Sequence, residues 1–199
     1  MDVRAIETGL PLYTEEEAYM ERAVPRRRDE FATGRWCARQ ALAELHVAPG
    51  PIAVGPRRNP VWPEQLTGSI SHTTDTCAAV VALRTTWKAI GIDLLDRESA
   101  GRLPVDAEHL LAHPHDSETP PPALPAWVPP LVLLFSAKES TIKALSPDLQ
   151  RFVDFPEICV RFESHTHTFL ASMDGAQTSV RGWWTTVMDE MVVTGAVAL

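Results

Sequence analysis

Glu139 and Lys143 stand four residues apart, with Lys138 beside the glutamate, in the stretch Ser136-Ala137-Lys138-Glu139-Ser140-Thr141-Ile142-Lys143. Residues four apart meet on one edge of a helix. A carboxylate with two ammonium groups close by suits phosphate chemistry: the carboxylate takes a metal ion or a proton, and the cations take the anion. The plainer alternative is a solvated Glu–Lys pair worth about 0.3 kcal/mol. A second carboxylate, Asp93, lies inside the apolar run Ala89-Ile90-Gly91-Ile92-Asp93-Leu94-Leu95. That run reads as a buried strand, where an ionised side chain is costly unless it is paired or bound to metal. Arg28, Arg35 and Arg39 fall on one helical stripe with Arg27 beside it. They read either as a solvated basic face or as a phosphate cradle, for which the planar fork of guanidinium donors is well suited.

The elements that must carry these residues are legible in outline. Ser136 followed by Glu139 has the capping-box pattern, which predicts a helix opening at Ser136 with Ala137, Thr141, Ala144 and Leu145 on one face. Thr14 to Glu17 predicts a short helix through about Ala23. The arginine-bearing stretch, with apolar positions at Phe31, Cys37 or Ala38, Leu42 and Leu45, predicts a helix after Pro25. Residues 49 to 63 read as a loop rich in proline and glycine. Leu66 to Ser71 reads as a strand running into the hydroxyl-dense His72-Thr73-Thr74-Asp75. Cys77 to Leu83 and Ala89 to Leu95 are expected to pair as a hairpin. Ile158–Phe162, Thr168–Leu170, Ser179–Trp184 and Met191–Val197 predict a β-rich remainder, with His165-Thr166-His167 in a turn.

Seven prolines between Pro114 and Pro130 mark a boundary. They divide the chain into an N-terminal half over 1–113, a proline-rich connector over 114–130 and a C-terminal half over 131–199. Each half runs helix first and strands afterwards. The composition narrows the function classes. A net charge of −8 over 199 residues argues against non-specific nucleic-acid binding, so an anionic ligand would need a local basic cluster. The three cysteines, Cys37, Cys77 and Cys159, are widely separated, which argues against a disulfide framework and for a reducing compartment. The N-terminus lacks a signal-peptide layout and no apolar run approaches a membrane span, so a cytoplasmic location with no membrane partner is expected.

Taken in order, Gly68-Ser69-Ile70-Ser71-His72, Gly91-Ile92-Asp93 and Phe135-Ser136-Ala137-Lys138-Glu139-Ser140-Thr141-Ile142-Lys143-Ala144 resemble the signature of the 4′-phosphopantetheinyl transferases. The likeness is to the larger single-chain type represented by enterobactin synthetase component D. It extends to Arg27-Arg28-Asp29-Glu30-Phe31, to Gly34-Arg35-Trp36-Cys37-Ala38-Arg39 and to Arg57 with Pro60-Val61-Trp62-Pro63. The resemblance implies an α+β fold of two pseudo-twofold-related halves with coenzyme A (CoA) in a cleft between them. It implies Mg2+-dependent transfer of the 4′-phosphopantetheine arm of CoA to a serine of an acyl or peptidyl carrier protein, releasing adenosine 3′,5′-bisphosphate. Arg27, Arg35, Arg57, Ser71 and His72 match positions that hold CoA. Lys143 matches a phosphate contact that Lys138 assists, Asp93 and Glu139 match magnesium ligands, and Glu139 is the candidate base. A monomer is the simplest expectation.

The signature continues Gly-Ile-Asp-x-Glu in this family, and that last place is Leu95 here. Strand alternation puts Leu95 on the same face as Asp93, with Asp96 facing away unless the strand ends there. Three rival readings follow from the residues. One is a catalytically impaired homologue that binds CoA or a carrier, which Leu95 favours. Another is a magnesium-dependent phosphohydrolase using Asp93 and Glu139 alone. The third is a zinc module using His109, His113 and His115 around a short helix over 106–112.

Overall fold

The computed structural model describes residues 1–104, 107–117, 124–145, 149, 151–175, 179–187 and 190–198. The fold is α+β, and its contacts divide the chain into two units, Met1–Lys88 and Ala89–Leu199.

The first unit contains β1 (Asp2–Ala5), α1 (Thr14–Met20), α2 (Pro25–Glu44), β2 (Leu66–His72) and β3 (Thr76–Leu83). Its strands form an antiparallel sheet in the order β1-β3-β2. Helix α2 begins with Pro25, whose fixed φ and missing N–H suit a first helical position. Its Cys37, Ala38, Ala41 and Leu42 pack on Leu66, Cys77, Ala79 and Val81 of the sheet and on Ile52. Under the Trp62 indole the chain needs a glycine at 68: a Cβ there would lie 2.8 Å from the ring. The Trp62 Nε1–H donates to the Gly68 carbonyl at 2.8 Å.

The second unit contains β4 (Ala89–Asp96), α3 (Arg97–Arg102), α4 (Glu108–Leu111), α5 (Pro130–Leu145), a 3-10 turn at Phe155–Glu157, and β5 (Ile158–Phe162), β6 (Thr168–Met173), β7 (Ser179–Val187) and β8 (Met191–Ala198). Among the described residues these strands form one antiparallel sheet in the order β4-β8-β7-β6-β5. The expected faces are in place: Ala137, Thr141, Ala144 and Leu145 of α5 are all buried. The four C-terminal strands lie where the alternation and turn signals put them.

Three expectations are corrected. First, β3 and β4 do not form a hairpin. β3 pairs with β1 and β2, whereas β4 pairs with β8, Asp93 opposite Thr194 and Leu95 opposite Val192. An apolar run announces a buried strand without naming its neighbour, and this neighbour is about a hundred residues away. Second, that pairing carries Gly91-Ile92-Asp93 into the second unit, so the division falls at Lys88/Ala89 rather than in the proline-rich stretch. The described ends of 114–130 are tied to the same unit: the Ser117 N–H donates to Val160 O at 3.0 Å, and Val128 packs against Leu95 and Trp184. Pro120, Pro121 and Pro122, like Asp106 of the expected short helix, lie outside the described residues.

Third, Ser136 does not cap α5. The helix starts at Pro130, so Ser136 is an interior residue, fully buried. Its hydroxyl is committed to Asp93 rather than to a backbone N–H of the first turn.

Candidate active site

The site in the second unit is built by laying α5 on β4. Gly91 permits the close approach, since a Cβ there would run into the Ser140 carbonyl oxygen and lie 2.5 Å from the Ala144 nitrogen. Two residues on, Asp93 reaches Ser136 and Lys143 of the helix. Two further on, Leu95 packs with Val132 and Leu133. Helix and strand therefore run in opposite senses, and the alternation of β4 delivers one glycine, one carboxylate and one apolar side chain to the same seam.

Asp93 is 8% exposed. Its Oδ2 accepts from the Ser136 hydroxyl at 2.8 Å, and its Oδ1 accepts from the Lys143 ammonium at 2.7 Å. The same ammonium lies 3.8 Å from Glu139 Oε2. The Lys143 ammonium thus stands between the two carboxylates, nearer to Asp93 than to Glu139. Burial pushes the Glu139 carboxyl above its ordinary range; the Lys143 charge opposes the shift and the Asp93 charge adds to it. Ser136 and Thr194, both fully buried, complete the cluster. Sequence reasoning missed both in this role. Ser136 had a signal, because it falls three and seven residues before Glu139 and Lys143 and so on their side of the helix. Thr194 had none locally.

Leu95 stands where a third carboxylate was looked for. It is 2% exposed, inside a cluster with Ala100, Leu133, Trp184 and Val192. Asp96 ends the strand and caps α3, its Oδ1 accepting from Ser99 N at 2.7 Å. Among the described residues no group of three His, Cys, Asp or Glu side chains is placed to hold a metal. The donor set nevertheless fits magnesium, which commonly takes one or two protein carboxylates and completes its octahedron with substrate phosphates and water. The zinc reading finds no such support: His113 Nε2 meets Asp174 at 3.2 Å, and its Nδ1 accepts from His115 N at 3.0 Å.

Lys138 occupies a different place from the one expected. Its ammonium is fully buried and donates to Leu111 O at 2.6 Å, Asp116 Oδ2 at 2.7 Å and Phe155 O at 3.2 Å. Three acceptors match the three protons of an ammonium. Burial lowers its pKa while Asp116 opposes the shift. Asp116 in turn accepts from Val160 N and His113 N, each at 2.7 Å. Lys138 clasps α5 to the 111–117 segment and the Phe155 turn.

In the first unit the arginines part company. Arg39 donates to both oxygens of Glu16, at 3.1 and 3.0 Å, and Glu16 is fully buried. Arg35 is 5% exposed, donates from Nε to Ile52 O at 2.9 Å and stacks over Phe31. Burial pushes its pKa down to about 10, with Glu16 opposing the shift. The stripe is neither a solvated face nor an open cradle along its whole length; its C-terminal part is a buried ion-pair hub. Arg27 is more exposed. Its Nη1 lies 3.1 Å from Glu30 Oε2 and 3.1 Å from His72 Nε2. A guanidinium only donates, so Nε2 accepts and the imidazole proton sits on Nδ1, which faces Thr73 O at 3.1 Å. Ser71 is buried one residue earlier on β2. Arg57 is half-buried in the tight turn between the paired residues Val54 and Pro60.

A model of the 4′-phosphopantetheinyl transferase N-terminal domain matches residues 15–82. The 4′-phosphopantetheinyl transferase PptT of Mycobacterium tuberculosis (strain ATCC 25618 / H37Rv) is 35% identical over 188 residues, covering 88% of this chain and 82% of the relative. This chain belongs to the 4′-phosphopantetheinyl transferase superfamily. The 4′-phosphopantetheinyl transferase Svp of Streptomyces mobaraensis is 38% identical over 172 residues, 81% of this chain and 65% of the relative. Enterobactin synthase component D of Escherichia coli (strain K12) is 35% identical over 127 residues, 64% of this chain and 59% of the relative. The expected enzyme class is thereby shown. The matched N-terminal domain contains the Arg27, Arg35, Arg57, Ser71 and His72 positions, while the two carboxylates of this transferase stand beyond it. No helix among the described residues is long and apolar enough to cross a membrane.

Proposed function

We propose that this transferase moves the 4′-phosphopantetheine arm of CoA onto a serine of an acyl or peptidyl carrier protein. The observation that carries the reading is the pair Asp93 and Glu139 gathered around one ammonium, that of Lys143. Two carboxylates that already hold one cation suit a Mg2+–diphosphate. The carrier serine oxygen attacks the phosphorus that bears the pantetheine arm. A P–O bond to that serine forms, the P–O bond of the diphosphate bridge breaks, and adenosine 3′,5′-bisphosphate leaves with the bridging oxygen. Magnesium held by Asp93 and Glu139 would neutralise the diphosphate and the charge that develops on the leaving group.

This chain's own residues supply the rest. Lys143 passes from its carboxylate partners to the phosphate oxygens. Glu139 takes the serine proton, directly or through a water. Arg27, Arg57, Ser71 and His72 hold the phosphates and border the adenine of CoA. Arg35 orders this surface from beneath, through its hydrogen bond to Ile52 O and its stacking on Phe31. The internal two-fold of the family belongs to the same proposal, supported by a long helix packed on an antiparallel sheet in each unit. So do the monomeric state and the cytoplasmic location.

The test is to incubate the protein with CoA, Mg2+ and an apo carrier protein and to weigh the carrier. The proposal expects the carrier to gain the mass of the arm, with adenosine 3′,5′-bisphosphate in equal amount. No gain with carriers of several pathways, while CoA still binds, would replace it with the impaired CoA-binding reading that Leu95 supports.

A further inference from the structure

Ser136 and Thr194 lie behind Asp93, and neither has a part in the reaction described above. Both are 0% exposed. The direction of every proton between them follows from chemistry. Ser136 Oγ lies 2.8 Å from Asp93 Oδ2, and an ionised carboxylate has no proton to give, so Ser136 donates its single one there. Ser136 Oγ also lies 2.9 Å from Thr194 Oγ1; with its proton committed, it accepts, and Thr194 is the donor. The Thr194 hydroxyl is 2.9 Å from the Ser136 carbonyl oxygen as well, so one proton is shared between two acceptors of one residue. Thr194 is the cross-strand neighbour of Asp93, on β8 opposite β4. The result is a one-way chain, β8 to α5 to β4, ending on a carboxylate oxygen.

A hydroxyl that only needed burial would be satisfied by the helix carbonyl. Here Ser136 Oγ lies at the same distance as the carbonyl, so a Thr194 proton shared with it polarises the Ser136 hydroxyl toward Asp93. With Oδ2 fixed by that bond, the rotation of the carboxylate about its own axis is fixed, and Oδ1 faces Lys143.

We propose that Thr194 and Ser136 form a positioning relay that orients the Asp93 carboxylate and so sets how tightly the Asp93–Glu139 pair holds a divalent cation. This rests on the reading of Asp93 and Glu139 as the cation ligands. Both hydroxyls are fully buried, so their effect is expected at the cation, through Asp93. Partners that orient a metal ligand from behind typically change metal affinity by 10- to 100-fold when removed.

The experiment is a Mn2+ titration of the full chain in the presence of CoA, with free Mn2+ read by electron paramagnetic resonance, alongside CoA binding without divalent cation. The variants are Thr194→Val, Thr194→Ser and Ser136→Ala. Thr194→Val keeps the shape of the side chain and loses the proton; it is expected to weaken Mn2+ binding by about 10-fold and to leave cation-free CoA binding unchanged. Ser136→Ala is expected to weaken it by at least as much. Thr194→Ser restores the donor and is expected to return the affinity to within about 2-fold of wild type. If Thr194→Val does not fold, Thr194→Ala is read in the same way. Unchanged Mn2+ affinity in the Val or Ala variant overturns the relay while leaving the cation site standing. A Ser variant as weak as the Val variant also overturns it, because the methyl group and not the proton would then matter. A wild-type protein that binds CoA but no Mn2+ overturns both the relay and the site on which it rests.

Discussion

Lys143 Nζ lies 2.7 Å from Asp93 Oδ1, closer than it lies to Glu139, its neighbour on the same helix. The lysine thus serves the buried carboxylate of the strand before it serves the i,i+4 pair visible in the sequence. Removing it takes a 2.7 Å ammonium contact from Asp93, which is 8% exposed. Because Lys143 itself is about a quarter exposed, the cost of Lys143→Ala is set below that of a fully buried pair, at about 1–3 kcal/mol. Millimolar Mg2+ is expected to raise the melting temperature of Lys143→Ala more than that of wild type, since the cation would replace the lost ammonium. Calorimetric scans with and without Mg2+ check this; equal shifts in both proteins would count against a shared cation site.

Glu139 gives a prediction in pH. Its pKa is raised in the folded chain, chiefly by burial. A raised carboxyl pKa means that the folded state holds the proton more tightly than the unfolded state. The associated stability is present below the ordinary glutamate range and is lost as pH rises through the folded value. Glu139→Gln, which cannot ionise, is therefore expected to melt at the same or a higher temperature than wild type at pH 8, with the difference shrinking by pH 4. Transfer should fall by at least about 100-fold, within the range assigned to a lost general base. A folded Glu139→Gln enzyme that transfers the arm at the wild-type rate would remove Glu139 from the role of base.

Lys138 is predicted to matter for stability and not for CoA. Lys138→Met leaves Asp116 with a buried charge and no ammonium, a loss of about 3 kcal/mol, read as an earlier urea midpoint. The folded variant should keep the wild-type KM for CoA. A CoA-specific KM defect with unaltered stability would return this lysine to the phosphate site.

These outcomes bear on what could be seen beforehand. Asp93 was visible from the sequence because a charge inside an apolar strand needs a partner, and the partner is there. Glu139 and Lys143 were visible from their spacing. Lys138 sits only one residue from Glu139, about 100° around the helix, so adjacency in sequence put it on another side, where it clasps Asp116. Ser136 was misread because the capping pattern also occurs inside helices, and the helix begins a turn and a half earlier at Pro130. The β4–β8 pairing, which brings in Thr194 and divides the chain at Lys88, joins residues about a hundred apart. Local periodicity carries no information on such a pairing. Arg35 and Arg39 were legible as cations but not as buried ones, because Glu16 on α1, which neutralises Arg39 and faces Arg35, looked like a first-turn acid of a surface helix.

Leu95 separates a missing ligand from a filled core. Its neighbours are Ala100, Leu133, Trp184 and Val192. Leu95→Glu places a carboxylate among apolar side chains and is expected to cost about 3 kcal/mol in cation-free buffer. A variant with an unchanged melting temperature and tighter Mn2+ binding would show instead that position 95 opens directly onto the cation.

The most direct measurement of the central claim is the intact mass of an apo carrier protein after incubation with CoA, Mg2+ and wild type, Asp93→Ala or Glu139→Ala. The account predicts conversion of the carrier to its phosphopantetheinylated form by wild type. It predicts rates at least about 100-fold lower for both variants, each still folded and still binding CoA. Equal conversion by Asp93→Ala and wild type would contradict it.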